Sequence, residues 1–363
     1  MPDPTTPATA TAHSPTTPPR APSPLRGPLS VLDLAPIIEG GDAADALARS
    51  TALARHAEAL GYHRYWLAEH HNMDGLACSA TAVLVGHIAG ATTRIRVGSG
   101  GVMLPNHAPL TVAEAFGTLA TLYPDRIDLG LGRAPGTDMA TARALRRHLH
   151  AVGDDDAYLR DVQELESYLA PAEPHQRVRA IPGAGTRVPV WLLGSSLYSA
   201  QAAAWLGRPY AFASHFAPDQ LDDAIALYRS TYRPSERWPK PHVMVAFNAV
   251  LADTDDEAAF HFTTLQQRFL GMVRGVRGPL PRPIAPAELD THWNPGEAAQ
   301  VRRMLSVSVV GGPDSARAQL ARLQERTGAD EWIATCNVHG HGARLRSYEV
   351  LAGVVGMEVG RAG

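Results

Sequence analysis

Cysteine is scarce in this chain, because Cys78 and Cys336 are the only two among 363 residues. They are far apart and lack the spacing of metal ligands, which argues against a disulfide scaffold and against a zinc site. This usage is typical of a reducing cytoplasm, where we expect the protein to reside. Lysine is scarcer still, since Lys240 is the only one. The abundance of arginine, alanine, glycine and proline indicates a GC-rich genome.

Runs of one charge sign and long apolar runs are also missing. The formal net charge is −3, and no block of basic residues points to nucleic acid or an anionic membrane as partner. No segment approaches the roughly 20 consecutive apolar residues of a membrane span. Residues 1–27 alternate Pro, Thr, Ala and Ser without the apolar centre of a signal peptide, so we predict a disordered tail there. This composition favours a small molecule as the partner.

From residue 28 onward, short apolar runs alternate with helical patterns. Asp42 is placed to cap a first helix that Gly61 ends, with small and apolar residues recurring between them at three and four residues. The eight runs typical of strands occupy residues 28–36, 65–69, 95–104, 126–131, 189–194, 210–213, 242–251 and 331–338. Eight strands alternating with helices predict one closed (β/α)8 barrel domain over residues 28–363. Residues 271–294 are rich in Gly, Pro and Arg, and we predict a mobile lid there.

A doubly wound open sheet is the alternative fold. It would normally carry the pattern G-x-G-x-x-G directly after its first strand. Here that strand ends in LAPIIEGG, and the nearest imitation, GLGRAPG from Gly130 to Gly136, has Pro135 where the last glycine belongs. The chain therefore has no nicotinamide-dinucleotide fingerprint of its own.

Glu69, His70 and His71 lie at the end of the second predicted strand, where barrel enzymes place functional groups. Adjacent side chains on a strand point to opposite faces, so only one of the two histidines faces the barrel mouth. The pair is poor support for a metal site, and we predict none. An imidazole with an unperturbed pKa of about 6.5 can serve as acid or base, and a hydrogen-bonded structural histidine is the alternative.

A second group of residues suits a phosphate. Arg133 ends the fourth strand, and its guanidinium carries a permanent charge. Three serines open the helix after the fifth strand: Ser195, Ser196 and Ser199. Neighbouring strand ends bring this charge beside a helix N-terminus, whose N–H groups bind anions. Read singly, the serines are typical helix caps and Arg133 is typical of a surface ion pair.

Four segments, in this order, resemble the luciferase-like flavin-dependent monooxygenases of the bacterial luciferase family. They are WLAEHHNMD (66–74), VGSGGVMLPNHAPLTVAE (97–114), YPDRIDLGLGRAPG (123–136) and LLGSSLYSAQAAAWLG (192–207). The resemblance covers nearly everything from Leu29 to the C-terminus and includes members that tailor antibiotics in actinomycetes. It implies a (β/α)8 barrel that holds reduced FMN at the carboxyl ends of its strands.

The resemblance also implies roles for particular residues. The FMN phosphate would be held by Arg133 together with Ser195, Ser196 and Ser199. A cis peptide between Gly100 and Gly101 would lie beneath the flavin ring, and Leu34 and Ala35 would lie behind it. His70 matches the catalytic histidine of the family. Two positions depart from the family pattern: Gly132 replaces a reactive cysteine, and Ser195 replaces an acidic residue near the phosphate.

The implied activity is that of a two-component monooxygenase. A separate NAD(P)H-dependent flavin reductase would supply reduced FMN, and oxygen would add to it as a C4a-hydroperoxide. The substrate would be a small organic molecule such as a polyketide or other secondary metabolite, oxygenated by epoxidation, hydroxylation or Baeyer–Villiger chemistry. A homodimer is implied as well. Two alternatives stay open: an F420-dependent oxidoreductase and a non-catalytic flavin-binding protein.

Overall fold

The computed structural model describes residues 23–134, 136–145 and 155–357. Its nine strands are β1 (Leu29–Asp33), β2 (Arg64–Leu67), β3 (Arg96–Met103), β4 (Ile127–Gly132), β5 (Val190–Gly194), β6 (Tyr210–Phe212), β7 (Val243–Leu251), β8 (Ser308–Gly311) and β9 (Glu331–Thr335). Eight of them form a closed parallel ring, because β6 pairs with β7 and β9 pairs with both β7 and β1. The predicted (β/α)8 barrel is thereby confirmed.

One strand, β8, is absent from the sequence prediction. It pairs only with the last four residues of β7, where Asn248 aligns with Ser308 and Leu251 with Gly311. It therefore widens the sheet beside β7 without entering the ring. Its four residues are too short a run to be distinguished from the start of the Gly312–Pro313 helix that follows.

Twelve helices surround or extend the barrel in the described residues. They are α1 (Ala43–Leu60), α2 (Thr81–Ala91), α3 (Pro109–Leu122), α4 (Met139–Leu145), α5 (Asp155–Leu169), α6 (Leu197–Leu206), α7 (Leu221–Thr231), α8 (Asp255–Val273), α9 (Pro286–Leu289), α10 (Pro295–Met304), α11 (Pro313–Thr327) and α12 (His341–Val355). No helix in these ranges is both long and apolar enough to cross a bilayer.

Two helices show how local sequence sets their ends. The Asp42 side chain accepts the Asp45 N–H at the start of α1, and Gly61 ends that helix with φ 85°, a conformation that glycine adopts readily. The helix α10 is missing from the sequence prediction, although Asn294 and Glu297 cap its start reciprocally. That capping signal starts at Asn294, the last residue of the segment predicted to be a mobile lid, and ends at Glu297 beyond it.

The barrel interior contains an apolar layer and a charged layer. The apolar side chains are Leu32, Trp66, Trp191, Ala211, Met244, Ala246 and Ile333. In the charged layer, Arg64 donates to Asp128 and to Glu331, each at 2.7 Å. Since Arg64 and Glu331 begin their strands, this layer lies at the amino ends of the barrel. The carboxyl ends form the opposite mouth, with the apolar layer between.

Two segments were predicted to be flexible, residues 1–27 as a tail and residues 271–294 as a lid. Residues 1–22 of the predicted tail lie outside the described residues, whereas residues 23–27 pack on the barrel, with Leu25 only 6% exposed. The ordered part therefore begins before residue 28.

Residues 271–294 include the end of α8 and all of α9, and Leu280 is fully buried there. Its backbone exchanges hydrogen bonds of 2.8 Å with Ile37 and Glu39. A lid in this segment stays a prediction.

Candidate active site

The barrel topology brings the predicted site residues to one rim. The strands β1 to β5 are neighbours in chain order, and all run in the same direction. The predicted site residues lie in the last half of these strands or directly after them and therefore meet at the mouth. They are Leu34, Ala35, His70, Gly100, Gly101, Arg133, Ser195, Ser196 and Ser199.

Bare backbone forms the floor of this mouth. The peptide bond between Gly100 and Gly101 is cis, as predicted, and the register of β3 against β4 shifts between Ser99 and Val102. A Cβ atom on Gly100 would lie 2.7 Å from a methyl carbon of Leu32, and one on Gly101 would lie 2.7 Å from the Gly130 carbonyl oxygen. Neither position accepts a side chain without displacing a neighbour.

The end of β1 forms the wall beside this floor. Ala35 is fully buried and adopts φ 45°, which is uncommon for a residue with a side chain. Its N–H donates to the Asp33 carboxylate at 2.8 Å, and its carbonyl accepts from Ala77 at 3.0 Å. Leu34 is half-buried and packs against the apolar layer of the barrel. Both predicted wall residues are therefore held in place.

His70 lies at the rim with one ring nitrogen engaged. Its Nδ1 is 3.3 Å from the carbonyl oxygen of Gly136. Because a carbonyl only accepts, Nδ1 carries the proton, and the neutral ring leaves Nε2 as an acceptor. Burial is the main cause that lowers the pKa of His70, and the Gly136 hydrogen bond opposes it. The side chain is thus neutral at pH 7 and able to take up a proton at Nε2.

His71 does not share the position of His70. Its Nε2 lies 3.0 Å from Glu69 Oε1, and the Nε2 of His107 lies 2.8 Å from the same oxygen. We name Glu69, His71 and His107 the Glu69 cluster. Burial alone would raise the pKa of Glu69, but the hydrogen bonds and charges of His107 and His71 outweigh it and hold that pKa below its ordinary value.

The Glu69 cluster also has the composition of a metal site. Its ligand atoms all lie within 4.8 Å of one another, and two histidines with one carboxylate are known ligands of catalytic zinc. Hydrogen bonds from the histidines to the buried carboxylate satisfy the same atoms without an ion. This geometry was not predicted from the sequence, because His107 follows β3 and is 38 positions away from Glu69 in the chain.

The predicted phosphate residues lie where β4 and β5 end. The Arg133 guanidinium stacks over the Tyr198 ring, with its carbon 4.0 Å from the ring centroid. Tyr198 is in the first turn of α6, so the guanidinium lies beside a helix N-terminus. The Ser196 side chain accepts the Ser199 N–H, and the Ser199 hydroxyl donates to the Ser196 carbonyl at 2.7 Å. Ser199 is therefore engaged in capping, while Ser195 is half-buried at the same turn.

One residue at the mouth is absent from the sequence prediction. His215 follows β6, and its Nδ1 is buried with no hydrogen-bond partner among the described residues. Burial, with a smaller contribution from the nearby His70, lowers the pKa of His215 to about 3. A neutral imidazole with an unsatisfied buried nitrogen is suited to a ligand that supplies the missing partner. A single histidine after a three-residue strand carries no sequence signal for this role.

Comparisons with known proteins show the family to which the chain belongs. Residues 29–331 match the family described as luciferase-like monooxygenase. A protein of Escherichia coli strain K12 named luciferase-like monooxygenase is 54% identical over 321 residues, which cover 88% of this chain and 95% of that protein. The N-acetyl-S-alkylcysteine monooxygenase of Bacillus subtilis is 42% identical over 193 residues, which cover 51% of this chain and 56% of that enzyme.

A solved structure supports the same relation. The crystal structure of apo-MsnO8 is 38% identical to this chain and superposes with a TM-score of 0.85. The match covers 92% of this chain and 99% of that one. The likeness therefore extends over the whole barrel and is not confined to the four sequence segments.

Proposed function

Because the chain belongs to the luciferase-like monooxygenase family and is a flavin-dependent monooxygenase, we propose that it is the oxygenase of a two-component system that uses reduced FMN. A separate NAD(P)H-dependent reductase would supply the flavin, since the sequence carries no G-x-G-x-x-G fingerprint. We also propose a homodimer in the cytoplasm. Both cysteines are free and buried, as suits a reducing compartment.

The observation that carries this proposal is the bare Gly100–Gly101 floor between an imidazole and a guanidinium. A flat ring needs backbone that approaches closely, and Gly100 and Gly101 present no side chain to it. Both positions must stay glycine, because a Cβ atom there would strike Leu32 or the Gly130 carbonyl. Arg133 beside the N-terminus of α6 supplies positive charge for a phosphate. The buried Nδ1 of His215, which has no partner among the described residues, leaves a polar contact at the same mouth for the substrate. The residues present fit FMN.

When bound, reduced FMN supplies the two electrons that activate O2, so that one oxygen atom enters the substrate and the other leaves as water. His70 holds or moves the proton that this chemistry requires, through its Nε2. The Gly136 carbonyl fixes the ring by accepting from Nδ1. Proton transfer from a positioned side chain typically contributes about 10²- to 10⁴-fold in rate.

Residues 271–294 are proposed to exclude water from the mouth. They cover the loop that follows β1, where Leu280 is buried and hydrogen-bonded to Ile37 and Glu39. Excluding water protects reactive species from hydrolysis and side reactions. Small organic molecules, including secondary metabolites such as polyketides, are the proposed substrates. The N-acetyl-S-alkylcysteines named for the Bacillus subtilis relative are the first class to screen.

The test is an anaerobic titration followed by isotope incorporation. Reduced FMN, oxidised FMN and F420 are titrated separately into the protein, and bound cofactor is followed by fluorescence. We expect reduced FMN to bind most tightly. With a flavin reductase, NADH and ¹⁸O2, mass spectrometry should then find one ¹⁸O atom in the product. Preferential binding of F420 without oxygen uptake would assign hydride transfer. Binding of FMN without any product across the panel would favour a non-catalytic flavin-binding protein.

A further inference from the structure

One half-buried arginine near the barrel mouth has no carboxylate partner among the described residues. Arg268 is on α8 and is half-buried, and its Nη1 donates to the Gly278 carbonyl at 2.9 Å. A Cβ atom on Gly75 would lie 2.8 Å from the same nitrogen. The guanidinium therefore lies between the loop that follows β2 and residues 274–285. Both segments are at the mouth.

No carboxylate among the described residues lies within 4.0 Å of the Arg268 guanidinium nitrogens. By contrast, Arg64 pairs with Asp128 at 2.7 Å, and Arg344 pairs with Asp33 at 2.6 Å. Burial lowers the pKa of Arg268, but a guanidinium starts so high that it stays charged. Burying a cation without a counter-ion costs desolvation free energy and so destabilises the fold.

The neighbouring ionisable groups cannot neutralise this charge. Cys78 interacts electrostatically with Arg268, yet burial raises the pKa of that thiol to about 12, so it remains uncharged at neutral pH. The charge of the Arg268 guanidinium also contributes to lowering the pKa of the His70 imidazole. The electrostatic effect of Arg268 therefore reaches the site where we propose that His70 transfers a proton. An incoming anion would satisfy that charge there.

We propose that Arg268 binds a carboxylate of the substrate and holds it beside His70. This inference rests on the proposed function and narrows it, because the substrate must carry an anionic group a few bonds away from the oxygenated atom. The planar guanidinium matches a carboxylate with two parallel hydrogen bonds. The Arg268–Gly278 contact uses a single nitrogen, so donors on the other nitrogen are available for the ligand.

The test compares acids with their methyl esters by isothermal titration calorimetry on FMN-saturated protein. The probes are N-acetyl-S-methylcysteine, N-acetylmethionine, hexanoate and benzoate, each paired with its ester. We expect at least one acid to bind about 10- to 100-fold more tightly than its ester, as charge-assisted hydrogen bonds predict. In Arg268→Gln that preference should disappear, and in Arg268→Lys part of it should return. The matched control is Arg322→Gln, at an exposed position on α11, where nothing should change.

Three results would overturn the inference. The unmodified protein could show no acid preference with any pair, or Arg268→Gln could keep that preference. Alternatively, Arg268→Gln could weaken the binding of reduced FMN in the absence of other ligands, which would assign the guanidinium to the flavin. The calorimetry needs no turnover, so failure of the monooxygenase reaction is recognised separately by the absence of ¹⁸O in the product. Intact folding of each variant is checked by its thermal unfolding midpoint.

Discussion

Replacing His70 tests the central assignment of the site. We expect His70→Ala to lower the single-turnover rate of product formation by about 10²- to 10⁴-fold, which is about 2.7–5.4 kcal/mol of activation free energy at 1.36 kcal/mol per tenfold. The affinity for reduced FMN should change little, because the contact that the ring makes in the structure is with the Gly136 carbonyl. Losing that hydrogen bond should cost only about 0.5–1.5 kcal/mol of unfolding free energy.

The assay is a rapid-quench experiment with FMN reduced beforehand, oxygenated buffer and one equivalent of substrate. Using prereduced flavin removes the reductase from the rate. His71→Ala is the matched control, because it removes the adjacent imidazole, which contacts Glu69 instead of the Gly136 carbonyl. A rate within threefold of the unmodified protein for His70→Ala, with normal flavin affinity, would refute a catalytic role and leave His70 as a structural histidine.

The pH dependence of the same reaction follows from the lowered pKa of His70. Burial disfavours the protonated ring, so the folded-state pKa lies below the unfolded value of about 6.5. Activity that needs a neutral Nε2 should persist below pH 6.5 and fall as the pH drops through the folded pKa. Stability should change with the same sign, because the unfolded chain binds this proton more readily and unfolding is favoured as the pH falls below about 6.5. A rate that already halves above pH 7 would contradict this.

Three further predictions follow. Arg133→Ala should weaken the binding of reduced FMN about 10- to 100-fold in an anaerobic fluorescence titration, since one charge-assisted contact is lost. An affinity equal to that of the unmodified protein would show that Arg133 does not bind the phosphate. Gly101→Ala should lower the free energy of unfolding by about 1–3 kcal/mol in urea denaturation, because its Cβ would lie 2.7 Å from a carbonyl oxygen of β4. The control, Gly342→Ala, should not lower it, because a Cβ atom there would have no other atom within 4 Å. EDTA should leave turnover unchanged, since hydrogen bonds already satisfy the Glu69 cluster; loss of activity that zinc restores would place a metal there.

The barrel could be predicted from the sequence because its strands and helices depend on local order, whereas most of the rim residues were assigned through the family resemblance. Strand length, helix caps and the alternation of the two can be read within windows of about ten residues. In a parallel barrel, consecutive strands are also neighbours, so residues that end β2, β3 and β4 must lie side by side. The ends of α1 at Asp42 and Gly61 were predicted from such local signals, whereas the cis Gly100–Gly101 bond was expected only from the family resemblance.

The features that the sequence did not predict depend on contacts between distant parts of the chain. The strand β8 is recognisable only by its pairing with the end of β7. His107 joins Glu69 from 38 positions away, and the unpartnered Nδ1 of His215 becomes meaningful only once the barrel closes around it. Nothing in the residues next to Arg268 marks it as a cation without a carboxylate partner.

This division also explains where specificity can reside in the fold. The strands β1 to β5 supply the glycine floor, His70 and the proposed phosphate residues, and we expect this half of the barrel to hold the cofactor, whose shape is constant. His215 and Arg268 come from the other half of the chain and reach the mouth through β6 and α8. Within the described ranges, the buried Nδ1 of His215 has no hydrogen-bond partner, and the Arg268 guanidinium contacts a carbonyl but no carboxylate. A polar, anionic substrate bound between them would satisfy both, so changes in these two residues should alter substrate choice while leaving flavin affinity intact.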